Sequence, residues 1–246
     1  MAGREESNPR DMTTREKPTV AAVLHSSTLL NALDAGEMER LIAASRVVRA
    51  ERGEVIWHSG AEAEFFGLVS HGFVKMVRSC ADGSDTTIEL MGPAQIFGLM
   101  GTITGSGCPL SAVAVTDLWY ARILKSVFLE IFEKSMPMKD RLLRRTAVRL
   151  HGMVDLMARM SSGKVEERIA AILFVLSESY GVREKEGLRL EVPLTRQEIS
   201  EMAGTTVEST IRTMSRWQKE GLISTDRQFI TIQDERGLSA VLAGIK

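Results

Sequence analysis

The segment that most constrains this fold is LTRQEISEMAGTTVESTIRTMSRWQKEGLI, residues 194–223. Its apolar residues follow helical spacing in two short segments that AGTT separates. Thr195 and Glu198 match the T-x-x-E pattern of a capping box, in which each residue hydrogen-bonds the backbone of the other. The pattern therefore predicts a first helix from Arg196 to about Ala203.

The AGTT junction predicts a sharp turn into a second helix. Gly204 tolerates the left-handed backbone of such a turn, and Thr205 or Thr206 can cap the helix that follows. Gly221 is expected to end it. Apolar spacing predicts three core-facing residues in the second helix: Ile211, Met214 and Trp217.

The exposed N-terminal half of the second helix has the chemistry needed to read DNA bases. In a helix-turn-helix these positions meet base edges in the major groove, and here they are Val207, Glu208, Ser209 and Arg212. Arginine donates to guanine O6 and N7, and a carboxylate accepts from cytosine N4.

Candidate phosphate contacts, which position a protein without specifying sequence, are Arg196, Thr205, Thr206, Arg216 and Lys219. The alternative for the segment is a small helical subdomain with a solvent-facing Glu208–Arg212 ion pair, since the two residues are four apart.

Residues 47–123 have a β texture, with short apolar stretches between turn residues. Asp82-Gly83 predicts a hairpin turn, and the strand spacing favours an antiparallel sandwich or barrel. A helical stretch precedes it, with Gly36 as the expected break.

From Lys125 to about Met160 the period becomes helical. After Pro137 a heptad seam extends over three repeats, formed by Leu143, Thr146, Leu150, Met153, Met157 and Met160. We interpret this seam as a dimer interface; the alternative is one amphipathic helix packed on its own domain.

Residues 161–246 have the order of helices and strands that is typical of a winged helix-turn-helix. Residues 161–164, SSGK, predict a short hinge in which Ser162 caps the next helix, which ends at Gly181. A short strand, the two helices above and a hairpin with its turn around Asp226 complete the order.

Charge and composition limit the function classes. The formal net charge of −1 means that any DNA contact must come from a local patch. No apolar run approaches the roughly 18 residues of a membrane span, and residues 1–20 lack the apolar region of a signal peptide. We therefore expect a disordered leader over 1–20, a cytoplasmic protein and no membrane partner.

These stretches together resemble the CRP/FNR family of bacterial transcription regulators. The resemblance rests on RGEVIWHSG, VSHGFVKM, MGPAQIFG, the long helix and the segment 194–223. It implies an α+β fold with a cyclic-nucleotide-binding-type β-roll for effector sensing (21–124), a dimerisation helix region (125–160) and a winged helix-turn-helix (161–246). It also implies a homodimer that binds a palindromic operator. Such a dimer contacts RNA polymerase and usually activates transcription.

The second helix is similar to the FNR branch. It keeps the family glutamate as Glu208 and the family arginine as Arg212. Val207 stands where cyclic-AMP-type proteins carry an arginine, and Ile211 stands where FNR-like proteins carry a serine. The resemblance therefore leaves the preference at the outer base pairs open.

The effector loop departs from the cyclic-nucleotide pattern. The family glutamate for the ribose is Leu99 here, and the family arginine for the phosphate, just before Ser111, is Leu110. An anionic phosphate would have no positive partner, so cyclic AMP is not expected. The predicted effector pocket comprises Leu99, Met100, Cys108, Leu110 and Ser111.

The effector itself stays open. Two cysteines are too few for a [4Fe–4S] cluster. Haem that senses nitric oxide or carbon monoxide, with His25 or His71 as ligand, a redox thiol at Cys80 or Cys108, an organic ligand, and control by abundance alone remain alternatives.

Two other function classes are alternatives: a β-barrel enzyme and a module for protein contact. A β-barrel enzyme would need convergent catalytic groups, but residues 91–114 contain no His, Asp, Glu, Lys or Arg. We therefore expect no enzyme. The other alternative is an interaction module that uses the winged helix to contact a protein instead of DNA.

Overall fold

A computed structural model describes residues 16–80 and 85–244. The chain divides into two compact units, one of residues 1–75 and 91–138 and the other of residues 76–90 and 139–246. The predicted α+β class is confirmed. The Asp82-Gly83 turn and most of the predicted leader lie outside the described residues.

The described residues form the following helices and strands, each set numbered in chain order. The helices are α1 (Val20–His25), α2 (Ala35–Ala43), α3 (Leu99–Thr104), α4 (Lys125–Lys134), α5 (Met136–Ser162), α6 (Val165–Tyr180), α7 (Arg196–Ala203), α8 (Val207–Lys219) and α9 (Glu235–Leu242). The strands are β1 (Ser45–Ala50), β2 (Val55–Trp57), β3 (Phe65–His71), β4 (Val74–Ser79), β5 (Asp85–Met91), β6 (Ile96–Phe97), β7 (Ser111–Ala114), β8 (Leu118–Leu124), β9 (Gly181–Glu184), β10 (Gly187–Leu190), β11 (Ile223–Asp226) and β12 (Phe229–Ile232).

Strands β1 to β8 form two four-stranded sheets, with strand orders β1-β8-β3-β6 and β2-β7-β4-β5. The longest ladder joins β3 and β8 in antiparallel register, from Phe65 opposite Leu124 to His71 opposite Trp119. The predicted antiparallel texture of residues 47–123 is therefore confirmed.

Aromatic side chains fill the core of the first unit. Phe97 stacks on Trp57 with ring centroids 5.2 Å apart and meets Tyr120 edge-on at 5.5 Å. A Cβ at Gly67 would lie 2.1 Å from the Phe97 ring, so only glycine lets β3 and this ring approach so closely. Burial of these rings stabilises the core of the first unit.

The predicted helix break at Gly36 is wrong. Gly36 lies inside the first turn of α2, and the helix begins because Asp34 and Glu37 form a reciprocal capping box. A D-x-x-E pattern thus outweighed the weak helix propensity of glycine.

The predicted helical region after Lys125 contains two helices. Ser135 separates α4 from α5, and α5 then continues through Ser162. The prediction that Ser162 caps the next helix is wrong, because Lys164 is the N-cap of α6. Only Gly163 and Lys164 separate α5 from α6, so the connection is shorter than the predicted hinge.

The predicted heptad seam lies on an exposed side of α5. Leu143, Leu150 and Met157 are 70%, 60% and 70% exposed. Thr146 and Met153 are also exposed, and Met160 is half-buried. No helix of the described residues is both long and apolar enough to cross a membrane.

The second unit has the order expected of a winged helix-turn-helix. Helix α6 packs on α7, α8 and α9, and the strands form a sheet of order β11-β12-β10-β9. Its fully buried apolar residues include Ile169, Leu173, Ile199, Met214, Trp217, Ile230 and Leu238. This core fixes α7 and α8 on a rigid support.

Candidate nucleic-acid interface

The capping box at the start of α7 is confirmed. The Glu198 amide donates to Thr195 Oγ1 at 3.1 Å, and the Thr195 amide donates to Glu198 Oε2 at 2.7 Å. At the other end Gly204 has φ +56°, the left-handed conformation that the sharp turn requires. Both ends of α7 therefore lie where the sequence predicts them.

Helix α8 begins at a threonine cap. Thr206 Oγ1 accepts from the Ser209 amide at 3.2 Å and donates to Ser209 Oγ at 3.1 Å. Ser209, a predicted base-reading residue, is thus half-buried and held by the cap. The cap satisfies a backbone donor that would otherwise lack a partner.

The inward side of α8 differs from the predicted one. Met214 and Trp217 are fully buried as expected, but the prediction that Ile211 faces the core is wrong, because Ile211 is 47% exposed. Thr210 and Thr213 take the buried positions instead. The Thr210 hydroxyl can be buried because it donates to the Thr206 carbonyl at 3.1 Å.

Two of the predicted base-reading side chains lie outward and unpaired. Glu208 and Arg212 are exposed, and neither forms a hydrogen bond or ion pair with any residue in 16–80 or 85–244. The ion pair of the alternative interpretation is therefore not formed. Val207, the fourth predicted reader, is half-buried beside them.

The predicted phosphate contacts are in varied surroundings. Arg196 is half-buried, donates to Thr225 Oγ1 of β11 at 3.2 Å, and burial lowers the pKa of its guanidinium. Arg216 pairs with Glu166 of α6 at 2.6 Å, a hydrogen bond that raises its pKa, and lies 3.7 Å from Glu220. Lys219 is exposed at the end of α8.

The two threonines of the turn complete the predicted phosphate set. The Thr205 amide donates to the Ser200 carbonyl at 3.1 Å, and its side chain is half-buried. Thr206 is exposed as well as capping α8. Both therefore lie at the junction that begins α8.

Sequence reasoning missed Arg168 in the first turn of α6. Its Nε is buried and has no hydrogen-bond partner among the described residues. A Cβ built at Gly204 would lie 3.7 Å from its Nη1, so the guanidinium reaches the turn between α7 and α8. Arg168 belongs to the charged run VEER, a pattern that does not indicate that its side chain is buried near this turn.

Comparison with known proteins agrees with this arrangement. Residues 167–241 match the model of a Crp-like helix-turn-helix domain, and residues 47–135 match that of a cyclic nucleotide-binding domain. The chain belongs to the CRP/FNR family of transcription regulators.

The relatives of this CRP/FNR protein are regulators rather than enzymes, as the sequence predicted. The anaerobic regulatory protein of Haemophilus influenzae is 23% identical over 209 residues, 85% of this chain and 80% of the relative. Transcriptional activator protein FnrL of Cereibacter sphaeroides is 27% identical over 174 residues, 69% of this chain and 68% of the relative. The structure of FixK2 from Bradyrhizobium japonicum matches with a TM-score of 0.72 at 20% identity, over 80% of this chain and 96% of that chain, which shows the shared fold.

The predicted effector loop of the matched cyclic nucleotide-binding domain has leucines at the two positions where the family pattern has charged residues. Leu99 and Leu110 are half-buried where charged partners would be needed. The Leu110 carbonyl accepts from Trp57 Nε1 at 3.0 Å, and Ser111 Oγ accepts from the Ser59 amide at 2.9 Å. The polar groups of this loop are thus used within the protein, and a phosphate would meet no cation from the loop.

The other predicted pocket residues differ in exposure. Met100 is 67% exposed, whereas Cys108 is 3% exposed and burial raises the pKa of its thiol. The Cys108 amide and carbonyl hydrogen-bond Ala61 and Gly60, at 2.9 and 2.8 Å. Cys80, by contrast, is exposed.

The two candidate haem ligands lie in unremarkable surroundings. His25 is the exposed last residue of α1, and His71 Nδ1 lies 2.9 Å from the hydroxyl of neighbouring Ser70. Within residues 16–80 and 85–244 no three His, Cys, Asp or Glu side chains are arranged to hold a metal ion. The geometry therefore favours neither histidine.

Proposed function

We propose that this CRP/FNR regulator binds a specific duplex operator through α8, with Glu208 and Arg212 as its base-reading residues. The observation that carries the proposal is that both side chains are exposed and unpaired among the described residues. They lie one turn apart on the N-terminal half of α8, a helix that the Thr206 cap and the buried Trp217 hold in place. Arginine suits guanine, and glutamate suits cytosine N4.

The regulator acts as a homodimer through α5 in this proposal. Leu143, Leu150 and Met157 are seven apart and together present an exposed apolar stripe to solvent. A second copy would cover that stripe in knobs-into-holes packing. The twofold axis would place two α8 helices on half-sites about one helical turn apart, which makes the operator palindromic.

The dimer is tested by light scattering of the full chain. Leu150→Glu places a charge in the stripe and should convert dimer to monomer, whereas Val175→Glu, at a 43% exposed position of α6, should leave the dimer intact. A monomeric wild-type protein would contradict this arrangement.

The effector in this proposal is not a cyclic nucleotide, because the loop that would hold it has Leu99 and Leu110 in place of charged groups. Cyclic AMP at millimolar concentration should leave the thermal unfolding temperature unchanged, since a ligand that binds only the folded state raises it. The visible spectrum of the protein purified from cells tests the haem alternative by its Soret band. By analogy with the family, we propose that the regulator acts in the cytoplasm and activates promoters through contact with RNA polymerase.

Selection from a pool of random duplexes tests DNA reading directly. The wild-type protein should enrich a palindrome with a G·C pair in each half-site, and gel shifts should confirm that affinity falls steeply with salt. No enriched sequence would contradict operator binding. Retained binding to a protein partner, without DNA binding, would favour the protein-contact alternative.

A further inference from the structure

Ile211 occupies a position that the core does not explain. It is a β-branched apolar residue, 47% exposed, on the side of α8 that also presents Glu208, Arg212 and Ser215 to solvent. The buried positions of the same helix include two threonines, Thr210 and Thr213. Helix α8 thus has hydroxyl groups inside and an isoleucine outside, so burial within this unit does not account for Ile211.

The neighbours of Ile211 place it among the base-reading groups. It follows Glu208 by three residues, precedes Arg212 directly, and lies one turn after the half-buried Val207. Residues three or four apart share a helix face. Val207 and Ile211 therefore form a short apolar strip beside a carboxylate and a guanidinium that have no partner among residues 16–80 and 85–244.

The major groove offers one apolar group to such a strip. Base edges there present hydrogen-bond donors and acceptors, except for the C5-methyl group of thymine. We propose that Ile211, supported by Val207, packs on a thymine methyl in each half-site, next to the base pair that Glu208 or Arg212 reads. This inference rests on the proposed operator binding and adds a thymine requirement to it.

Uracil substitution isolates the methyl group. In the operator that the wild-type protein selects, each thymine of a half-site is replaced in turn by deoxyuridine, which keeps base pairing and removes only the methyl. Binding by fluorescence anisotropy should weaken about fourfold at one thymine per half-site, the loss expected for one buried methyl group. Binding should be indifferent to the other methyl groups of the half-site.

Ile211→Ala identifies the side chain responsible. The variant should bind the thymine and uracil operators equally, while it keeps its dependence on the G·C pair. Because alanine has the higher helix propensity, α8 should stay folded, which circular dichroism checks. The matched control is Val175→Ala, which removes an exposed β-branched residue from α6 and should keep the full response to the methyl group.

The outcomes separate the two levels of the proposal. If the pool yields no enriched operator, the proposed function fails and this inference with it. If an operator is enriched but no methyl matters to the wild-type protein, or Ile211→Ala keeps the same sensitivity, the thymine contact alone is overturned.

Discussion

Helix α8 and the loop from α3 to β7 show how differently two regions of one regulator can relate to its family. In α8 the glutamate and arginine of the family pattern are present as Glu208 and Arg212 and lie unpaired among the described residues. In the loop, Leu99 and Leu110 replace the charged residues of the family pattern. The Leu110 carbonyl already accepts from Trp57 Nε1, and Ser111 Oγ accepts from the Ser59 amide. The side chains that we propose to read DNA are therefore free for contact among the described residues, whereas residues 91–114 contain no charged group for a cyclic nucleotide.

The difference predicts that the two regions respond oppositely to substitution. Changes around the loop should alter the stability of the first unit and leave sequence preference intact. Changes on the outward side of α8 should alter sequence preference and leave stability intact.

The largest expected effect is at Phe97, behind the loop. Phe97→Ala removes a ring that is 1% exposed, stacked on Trp57 and packed over Gly67. The free energy of unfolding of the first unit should fall by about 3–5 kcal/mol, the usual cost of such a cavity. Urea unfolding followed by tryptophan fluorescence measures the change.

The control for Phe97 lies three residues away. Met100→Ala removes a side chain that is 67% exposed and should change the free energy of unfolding by less than about 0.5 kcal/mol. Similar losses for the two variants would contradict the view that the rings of this region form a packed core.

A smaller effect is expected at the start of α7. Thr195→Ala removes the hydroxyl that accepts from the Glu198 amide and donates to its carboxylate. The free energy of unfolding of the second unit should fall by about 1 kcal/mol. Thr195→Ser keeps the cap and should restore most of that loss; an unfolding free energy equally low in both variants would show that the cap does not stabilise α7.

The smallest expected effect concerns Glu89 of β5, whose carboxylate pairs with Arg149 of α5. Burial raises the pKa of Glu89, and Arg149 and Arg145 only partly oppose the rise. The folded protein therefore binds this proton more tightly than the unfolded chain, and the stabilisation present at low pH is lost as pH rises through the raised pKa.

Glu89→Gln removes that proton linkage. The free energy of unfolding of the wild type minus that of the variant should decrease between pH 4 and pH 8, measured by urea unfolding at several pH values. Glu178→Gln, on the exposed side of α6, controls for the loss of one negative charge. A difference that stays constant or increases with pH would contradict the account of Glu89.

Local patterns let the sequence predict most of the fold and the ends of the site helices. The Thr195–Glu198 box and the glycine at 204 each specify backbone geometry through nearby atoms, so they could be recognised without tertiary contacts. Asp34 and Glu37 form the same local pattern, and it starts α2 even though the glycine at position 36 favours a break.

The errors lie where tertiary packing decides. Its apolar side chain predicts that Ile211 lies in the core, but the packing of α8 buries Thr210 and Thr213 instead. Arg216 pairs with Glu166, and Arg168 Nε has no hydrogen-bond partner in the part of the chain that the structure describes. Both depend on how α6 packs on α7 and α8, which spacing along the chain does not reveal.

The most direct test of the central claim is the operator preference of Arg212→Ala. The variant should bind the selected operator about 1–3 kcal/mol more weakly and should lose discrimination at one base pair of each half-site, when binding to all four base pairs at every position is compared by fluorescence anisotropy. A uniform loss of affinity with unchanged discrimination would contradict the assignment of Arg212 as a base-reading residue.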